Sequence, residues 1–340
     1  MQDPGSPTVS AIILNYNYGR YVGRAIESAL TQSIPFAEII VVDDGSTDES
    51  LAIIRAYEPR VKVLAKGNTG QLSSCIAAIA QATGEYIYIL DADDWLAPDM
   101  HANIIPALKL HPAKIQFQLR AIGETAAGSV FPAFPEGYNS EQMRQDNKTI
   151  GFYICPPTSG NVYSRKALAQ IALQLLDARE TLDGVPALLM PYMGHVVSIT
   201  KPLAHYFVHE GSDSQATTIS EEVLQKELVR FAARWEVAKA ILGAGHESDI
   251  EGSVLYLSER RLMIAALQNK LFVIGKVAPY IYDLWRTHYS TKHKVVFTAW
   301  GLSLILPAAT SRQAAIRFRR NGTSRPEWLS KAVAYINGRQ

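Results

Sequence analysis

The chain has 340 residues, of which 48% are hydrophobic and 19% are charged, and this is the composition of a globular protein with a sizeable core. The formal net charge of +1 excludes a strongly basic nucleic-acid-binding surface as the main feature of the protein. Two cysteines, Cys75 and Cys155, provide neither a disulfide framework nor metal-ligand spacing.

The first third of the chain alternates short apolar runs with segments of helical spacing. Strands are predicted at Val9–Leu14, Glu38–Val42, Arg60–Leu64 and Glu85–Leu90, and helices at Arg20–Gln32, from Ser46 onward, and at Leu72–Ala82. This alternation predicts an α/β fold with a mainly parallel sheet flanked by helices. In such sheets ligands bind at the carboxyl ends of the strands.

The remaining chain divides into two regions of different character. Residues 115–163 are rich in Gly, Pro and aromatic residues, which indicates irregular structure with short strands. A helix follows at Ser164–Ala178, and strands follow near 196–200 and at Leu203–Val208. Beyond Thr217, helices at Glu221–Leu242, Ser253–Leu271 and Val277–His288 predict a helical C-terminal region, with a boundary near residue 216.

An acidic cluster, Asp91-Ala92-Asp93-Asp94, directly follows the apolar strand that ends at Leu90. Carboxylates this close repel one another unless a cation lies between them, and Mg²⁺ and Mn²⁺ bind to carboxylates together with substrate phosphates. A solvated turn or a helix N-terminus is the alternative interpretation. The buried strand before the cluster favours the metal site.

Three further segments lie at predicted strand ends. Asp43-Asp44 could accept a hydrogen bond from a nucleotide base, although capping of the helix near Ser46 is the better interpretation from these residues alone. Tyr16 offers a ring for base stacking and Asn17 tolerates turn geometry, although core or turn use is more common. Gly67-Asn68-Thr69-Gly70-Gln71 precedes a helix and could approach a phosphate, but the chain lacks the dinucleotide-binding and Walker fingerprints.

The order and spacing of these segments resemble family 2 glycosyltransferases with the GT-A fold. The matching segments are Val9–Asn17, Ala25–Gln32, Val41–Asp48, Asn68–Gly70 and Ala82–Asp94. The detailed agreement extends from Thr8 to Leu96, and a looser one continues to about Gln215. The resemblance implies a GT-A domain over residues 1–216, with a donor half over about 8–96 and an acceptor half over about 97–216, followed by a helical region over 217–340.

The resemblance also implies roles for individual residues. Tyr16 and Asp44 would hold uracil, with Asp44 accepting from N3–H. Asp93 would bind Mn²⁺ or Mg²⁺, and Asp91 would bind the ribose or the metal, with Asp94 as a further candidate ligand. The remaining residues expected to line the nucleotide cleft are Asn17, Asn68, Gly70 and Gln71.

In the acceptor half, the family's catalytic base aligns with Asp183, which would deprotonate the acceptor hydroxyl in an inverting displacement. Leu182 stands where the family has a partner acid, and a plain turn aspartate is the alternative. His209 matches a family histidine that could reach the metal or the diphosphate, although a structural histidine is equally common. The family arginine nearby is absent, and Tyr206-Phe207 occupies its place.

We therefore expect an inverting, metal-dependent glycosyltransferase that moves a sugar from a UDP-sugar to a glycan or lipid-linked acceptor hydroxyl. GDP- and dTDP-sugars remain open. The alternative is a catalytically degenerate nucleotide-binding scaffold of a glycan-assembly complex, because the paired acid and the arginine are missing. A nucleotidyltransferase would need a Gly-rich basic loop after the first strand, where Asn15-Tyr16-Asn17 stands instead.

A cytoplasmic location is expected, since the N-terminus has no signal-peptide pattern and the apolar run Val295–Ala309 is shorter than the ~20 residues that span a bilayer. Basic residues flank this run, with Trp300 and Trp328 nearby, so residues 292–320 could contact the inner face of the cell membrane peripherally. Packing against neighbouring helices or a second subunit is the alternative and the favoured interpretation.

Overall fold

The computed structural model describes residues 6–123, 128–175, 184–209, 220–243, 254–268, 270–305 and 309–320. Within them the chain forms two compact units. The first comprises residues 1–144, 154–215 and 234–245, and the second comprises 145–153, 216–233 and 246–340. A single boundary was predicted near residue 216, but two short segments lie in the other unit. Residues 145–153 group with the second unit, and residues 234–245 group with the first.

The first unit contains one nine-stranded mixed sheet. Its strands are β1 (Val9–Asn15), β2 (Glu38–Asp43), β3 (Lys62–Ala65), β4 (Tyr86–Asp91), β5 (Trp95–Leu96), β6 (Lys114–Ile122), β7 (Val130–Phe131), β8 (Asn161–Ser164) and β9 (Val196–Phe207). Their order is β3-β2-β1-β4-β8-β6-β9-β5, with β7 pairing with β6. The pairs β2/β3, β1/β2 and β1/β4 are parallel, and β8 pairs antiparallel with both β4 and β6.

Helices accompany the sheet along the first part of the chain. They are α1 (Gly19–Leu30), α2 (Ser50–Arg55), α3 (Gln71–Gln81), α4 (Met100–Leu108), α6 (Arg165–Leu175) and α7 (Gly184–Met193), with a short 3-10 helix at Thr158–Gly160. The helix α5 (Ser140–Thr149) contributes residues to both units. The apolar runs of β1, β2 and β4 are buried, as expected for strands covered on both faces. The predicted α/β fold with helices flanking a central sheet is thus confirmed.

The prediction of irregular structure with short strands over residues 115–163 was partly right, since β7 and β8 are short, but it missed the nine-residue strand β6 and the helix α5. Polar residues interrupt the apolar pattern of β6, yet two of them, Lys114 and Gln116, are fully buried. Gln116 donates to the Ile154 carbonyl and to Ser198 Oγ, and it accepts from Lys114 Nζ, which also reaches Cys155 Sγ at 3.0 Å. Internal hydrogen bonds thus replace water for these side chains.

Strand β9 is a single strand, where the sequence predicted two. It pairs parallel with β6, and the register shifts around Gln118. This irregularity lies next to the Lys201-Pro202 segment that separated the two predicted strands. The helix α7 was not predicted, because Pro186 and Pro191 stand within it.

The second unit is helical in its described residues. The helix α8 (Glu221–Leu242) contributes residues to both units, and the later helices are α9 (Leu255–Gln268), α10 (Lys270–Arg286), α11 (Thr291–Ser303) and α12 (Ala309–Arg320). Tyr280, Leu262 and Leu304 are fully buried in its core. Among the described residues, none of the helices combines the length and the apolar character needed to cross a membrane.

Several residues expected at a membrane-facing patch are buried in this unit instead. Trp300 is buried and donates its indole N–H to the Ala315 carbonyl, and Arg312 is buried and donates to the Ala266 carbonyl. Arg319 forms an ion pair with the buried Glu259. The structure therefore supports the alternative of helix packing for these residues. Trp328 lies outside the described residues.

Candidate active site

A cavity of about 410 Å³ opens where β1, β2 and β4 end. Because these strands are parallel neighbours, their carboxyl ends meet at the same edge of the sheet. The residues that line the cavity are Leu14, Asn15, Tyr16, Tyr18, Asp44, Asn68, Gly70, Gln71, Ser74, Asp91, Ala92, Asp93, Pro157, Thr158 and Tyr206. Seven of the sequence-predicted site residues are among them: Tyr16, Asp44, Asn68, Gly70, Gln71, Asp91 and Asp93.

Of the two nucleotide contacts predicted in the turn after β1, Tyr16 lines the cavity and Asn17 does not. Tyr16 lines the cavity and is 43% exposed, so its ring is available to a ligand. Asn17 has a positive φ of 56°, and its side-chain oxygen accepts from the Thr47 N–H at 2.7 Å. It stabilises the turn and is not part of the cavity lining. The buried Asn15 donates to Asp43 and Ser46, which connects the ends of β1 and β2.

Asp44 anchors the loop over residues 67–70. Its carboxylate accepts from Lys66 Nζ at 2.6 Å, the Thr69 N–H at 3.0 Å and the Gly70 N–H at 2.8 Å. Burial by itself would raise the pKa of Asp44, but the hydrogen bonds from Lys66 and Thr69 outweigh it and lower that pKa below its usual value. The predicted capping role was wrong, since α2 begins at Ser50.

Gly45 allows this loop to approach. Its φ is +73°, a left-handed conformation that favours glycine, and a Cβ atom there would lie 2.6 Å from the Asn68 backbone nitrogen. The glycine after Asp44 is thus required both by the turn and by the close contact of two loops.

The three carboxylates after β4 have different environments. Asp91 accepts from Gln71 Nε2 at 3.1 Å and lines the cavity. Asp93 also lines the cavity, and its Oδ2 lies 3.1 Å from His209 Nε2. Asp94 is 1% exposed and accepts from the Phe207 N–H. Burial, followed by the charges of Asp91 and Asp93, raises the pKa of Asp94 well above its usual value. Asp94 connects β9 to the acidic turn and is outside the cavity lining.

His209, which follows β9, lies next to the acidic turn after β4. Its ring packs against Tyr21, Phe207 and Tyr18, with centroid distances of 5.2, 5.4 and 5.8 Å. This aromatic cluster leaves the histidine side chain 14% exposed and orients one ring nitrogen toward Asp93. The structure thus brings the two predicted metal ligands Asp93 and His209 into contact.

The possible metal ligands in the cavity fit a divalent cation whose remaining ligands come from a substrate. Asp93 and His209 provide an oxygen and a nitrogen donor side by side, and Asp91 lies on the wall of the same cavity. Within the described ranges, no group of three or more His, Cys, Asp or Glu side chains is placed to hold a metal ion. Two protein donors leave most of the roughly six positions around Mg²⁺ to phosphate oxygens and water, which is its usual coordination in nucleotide sites.

Two of the residues that complete the site were not identified from the sequence. Lys66 pairs with Asp44, and Arg24 donates to the Asp93 carbonyl at 2.8 Å while its guanidinium lies 3.6 Å from the centre of the Trp95 ring. The position of Lys66 at the end of β3 was the available signal, since that strand end adjoins β2. The predicted base Asp183 lies outside the described residues.

Comparisons with known proteins identify the family of the chain. The sequence profile described as glycosyl transferase family 2 matches residues 10–171. An uncharacterized glycosyltransferase of Nostoc sp. is 31% identical over 223 residues, which cover 63% of this chain and 69% of the relative. Chondroitin synthase of Escherichia coli is 43% identical over 96 residues, which cover 27% of this chain but only 14% of the synthase.

The fold also has solved relatives. The crystal structure of S. aureus TarS 1–349 in complex with UDP-GlcNAc covers 93% of this chain and 92% of its own, with a TM-score of 0.54 and 18% sequence identity. This likeness shows the GT-A fold that the sequence predicted. The chain belongs to glycosyl transferase family 2 and is a glycosyltransferase enzyme.

Proposed function

We propose that this glycosyltransferase binds a UDP-sugar with Mn²⁺ or Mg²⁺ and transfers the sugar, with inversion, to an acceptor hydroxyl. The observation that carries the proposal is the convergence of Asp44, Asp91 and Asp93 with the 67–70 loop on one cavity. A base-binding group, a phosphate-facing loop and a pair of metal-binding carboxylates are the parts that a nucleotide-sugar requires.

The uracil ring would lie between Tyr16 and Asp44. The Asp44 Oδ2 atom accepts from the Gly70 N–H, and a carboxylate oxygen can accept a second hydrogen bond, here from N3–H of the base. The exposed ring of Tyr16 provides a stacking surface at the same edge of the cavity. That TarS, which shares the fold, was crystallised with UDP-GlcNAc is consistent with a uridine nucleotide.

The cation would be held by Asp93 and His209, with Asp91 contacting the ribose or the metal. A bound divalent cation would stabilise the charge of the departing diphosphate. The cluster of Tyr18, Tyr21 and Phe207 holds the imidazole of His209 in place, so the ring would lose little conformational entropy when it binds the cation.

On the acceptor side, Asp183 would deprotonate the hydroxyl that attacks the anomeric carbon from the face opposite UDP. The resemblance to the family supports this role. The similarity to chondroitin and hyaluronan synthases supports a glycan acceptor, although the matched part is a small fraction of those enzymes.

Calorimetry tests the donor site directly. UDP, GDP, dTDP and CDP are titrated with Mn²⁺ or EDTA into the wild type, Asp93→Asn and the control Asp99→Asn, whose half-exposed carboxylate pairs with Lys201. We expect metal-dependent UDP binding that is lost in Asp93→Asn and kept in the control. Binding of GDP in preference to UDP would overturn the uracil assignment, and equal binding in EDTA would overturn the metal assignment.

A measurement of sugar transfer distinguishes an active enzyme from the alternative of a catalytically degenerate scaffold. With a UDP-sugar panel, wild-type protein should transfer or slowly hydrolyse one sugar, and Asp183→Asn should lower the rate at least about a hundredfold while UDP binding is unchanged. A product with retained anomeric configuration would refute inversion. Nucleotide binding without any turnover would favour the degenerate scaffold.

A further inference from the structure

Two consecutive helices of the second unit expose apolar side chains in an ordered arrangement. Ten large hydrophobic side chains are exposed among the described residues, and five of them lie on α10 and α11. They are Ile274, Tyr282, Trp285, Val295 and Leu302. Such a concentration on two helices marks an interaction surface rather than the usual scatter of single exposed side chains.

The exposed residues of α10 form one stripe. Ile274, Ala278, Tyr282 and Trp285 are exposed at spacings of 4, 4 and 3, which places them on one face of the helix. The opposite face is buried in the core through Val273, Val277, Tyr280 and Leu284. The helix is thus apolar on two faces, of which one packs against the described core of the unit and the other is exposed.

The helix α11 repeats this arrangement. Val295, Ala299 and Leu302 are exposed at spacings of 4 and 3, while Trp300 and Gly301 are buried. The Trp285 indole N–H donates to Thr298 Oγ1 at 3.1 Å, and Lys294 Nζ donates to the Trp285 carbonyl at 3.0 Å. These contacts place Trp285 beside α11, so the two stripes adjoin at this residue.

The charged residues of the two helices are almost all basic. Residues 270–305 contain five Lys or Arg residues and a single acid, Asp283, so their net charge is +4. Asp283 is 1% exposed, whereas Lys276, Arg286 and Lys292 are exposed at the sides or ends of the stripes. The outer surface of this helix pair is therefore apolar with a basic border.

We propose that the exposed faces of α10 and α11, defined by Ile274, Tyr282, Trp285, Val295 and Leu302, dock on an anionic lipid surface. Apolar side chains with an aromatic pair at one end enter the headgroup boundary, while the basic border binds lipid phosphates. A second copy of the chain is a poorer match, because the exposed basic residues Lys276, Arg286 and Lys292 of one copy would face those of the other. The proposed surface shares α11 with the patch predicted over 292–320, but it uses α10 and the exposed face of α11 and leaves out Trp300, Arg312 and Arg319, which are buried or paired.

The test uses the full chain and co-sedimentation with vesicles, and its result does not depend on glycosyl transfer. Wild-type protein should bind phosphatidylcholine vesicles that contain phosphatidylglycerol, and not pure phosphatidylcholine. The variant Ile274→Ser/Tyr282→Ser should bind about tenfold more weakly or less. The matched control is Leu110→Ser/Val229→Ser, which removes two apolar side chains that are 63% and 69% exposed and lie outside α10 and α11.

A charge variant tests the basic border. Lys276→Glu/Lys292→Glu should weaken binding by at least about fivefold for each lysine, and rising salt should weaken wild-type binding as well. Equal binding by the Ile274→Ser/Tyr282→Ser variant and its control would overturn the proposal. It would also be overturned if wild-type protein ignores anionic vesicles and forms a dimer that Ile274→Ser/Tyr282→Ser dissociates. Unchanged circular dichroism and UDP binding would show that the variants fold.

Discussion

The ion pair between Lys66 and Asp44 allows a quantitative test of how the nucleotide cavity is held. The two side chains are 23% and 6% exposed, and their 2.6 Å contact joins the end of β3 to the end of β2. Removing one member of a fully buried pair costs about 3–5 kcal/mol. Because Lys66 is partly exposed and Asp44 keeps two backbone donors, we expect Lys66→Met to lower the free energy of unfolding by about 2 kcal/mol at neutral pH.

This loss should depend on pH in a defined direction. The pKa of folded Asp44 is depressed, so its stabilising contribution is present above the unfolded value of about 3.9 and is lost as pH falls through the folded pKa. The difference between wild type and Lys66→Met should therefore shrink in acid. Without Lys66, the folded pKa of Asp44 should rise toward its ordinary value.

The assay is urea unfolding followed by circular dichroism, at neutral pH and at acidic pH. The control is Lys201→Met, which removes a pair whose side chains are 48% and 49% exposed and should cost no more than about 0.5 kcal/mol. Equal losses in the two variants, or a Lys66→Met loss that grows in acid, would refute the reasoning. If Lys66→Met lowers the free energy of unfolding but leaves the UDP affinity unchanged, the 67–70 loop does not need this ion pair for nucleotide binding.

Three other substitutions test neighbouring contacts. Gly45→Ala should destabilise the protein by at least about 1–2 kcal/mol and weaken UDP binding in calorimetry, whereas Gly67→Ala, where a Cβ meets nothing within 4 Å, should be neutral. Ser159→Ala removes the acceptor of the Asp91 N–H and should lower the urea-unfolding free energy by about 1–3 kcal/mol, so an unchanged value would contradict that role. Arg319→Leu should cost about 3 kcal/mol in urea unfolding, since among the described residues the buried Glu259 then keeps Arg260 alone as an ion-pair partner, and a substitution of the exposed Arg317 by Leu serves as control.

The elements predicted correctly are those in which the local pattern of apolar and polar residues matches their burial in the fold. The strands β2 and β4 have continuous apolar runs because parallel strands are buried on both faces. The strand β6 was missed because Gln116 and Lys114 look like surface residues, and they are buried only because partners such as Ser198, 82 residues from Gln116, satisfy them. The helix α7 was missed for a different reason, since prolines within a helix contradict local propensity.

The sequence by itself determined the order of strands and helices in the donor half and the placement of Tyr16, Asp44, Asp91 and Asp93 at strand ends. Those features follow from local periodicity, because a buried strand must be apolar along its length and end in polar residues. Tertiary structure alone decided which polar groups meet. His209 reaches Asp93 across 116 residues, and Asp44 pairs with Lys66 across 22. Such contacts depend on the spatial order of the strands and on which face of each helix the core covers, and neither is a property of a local segment.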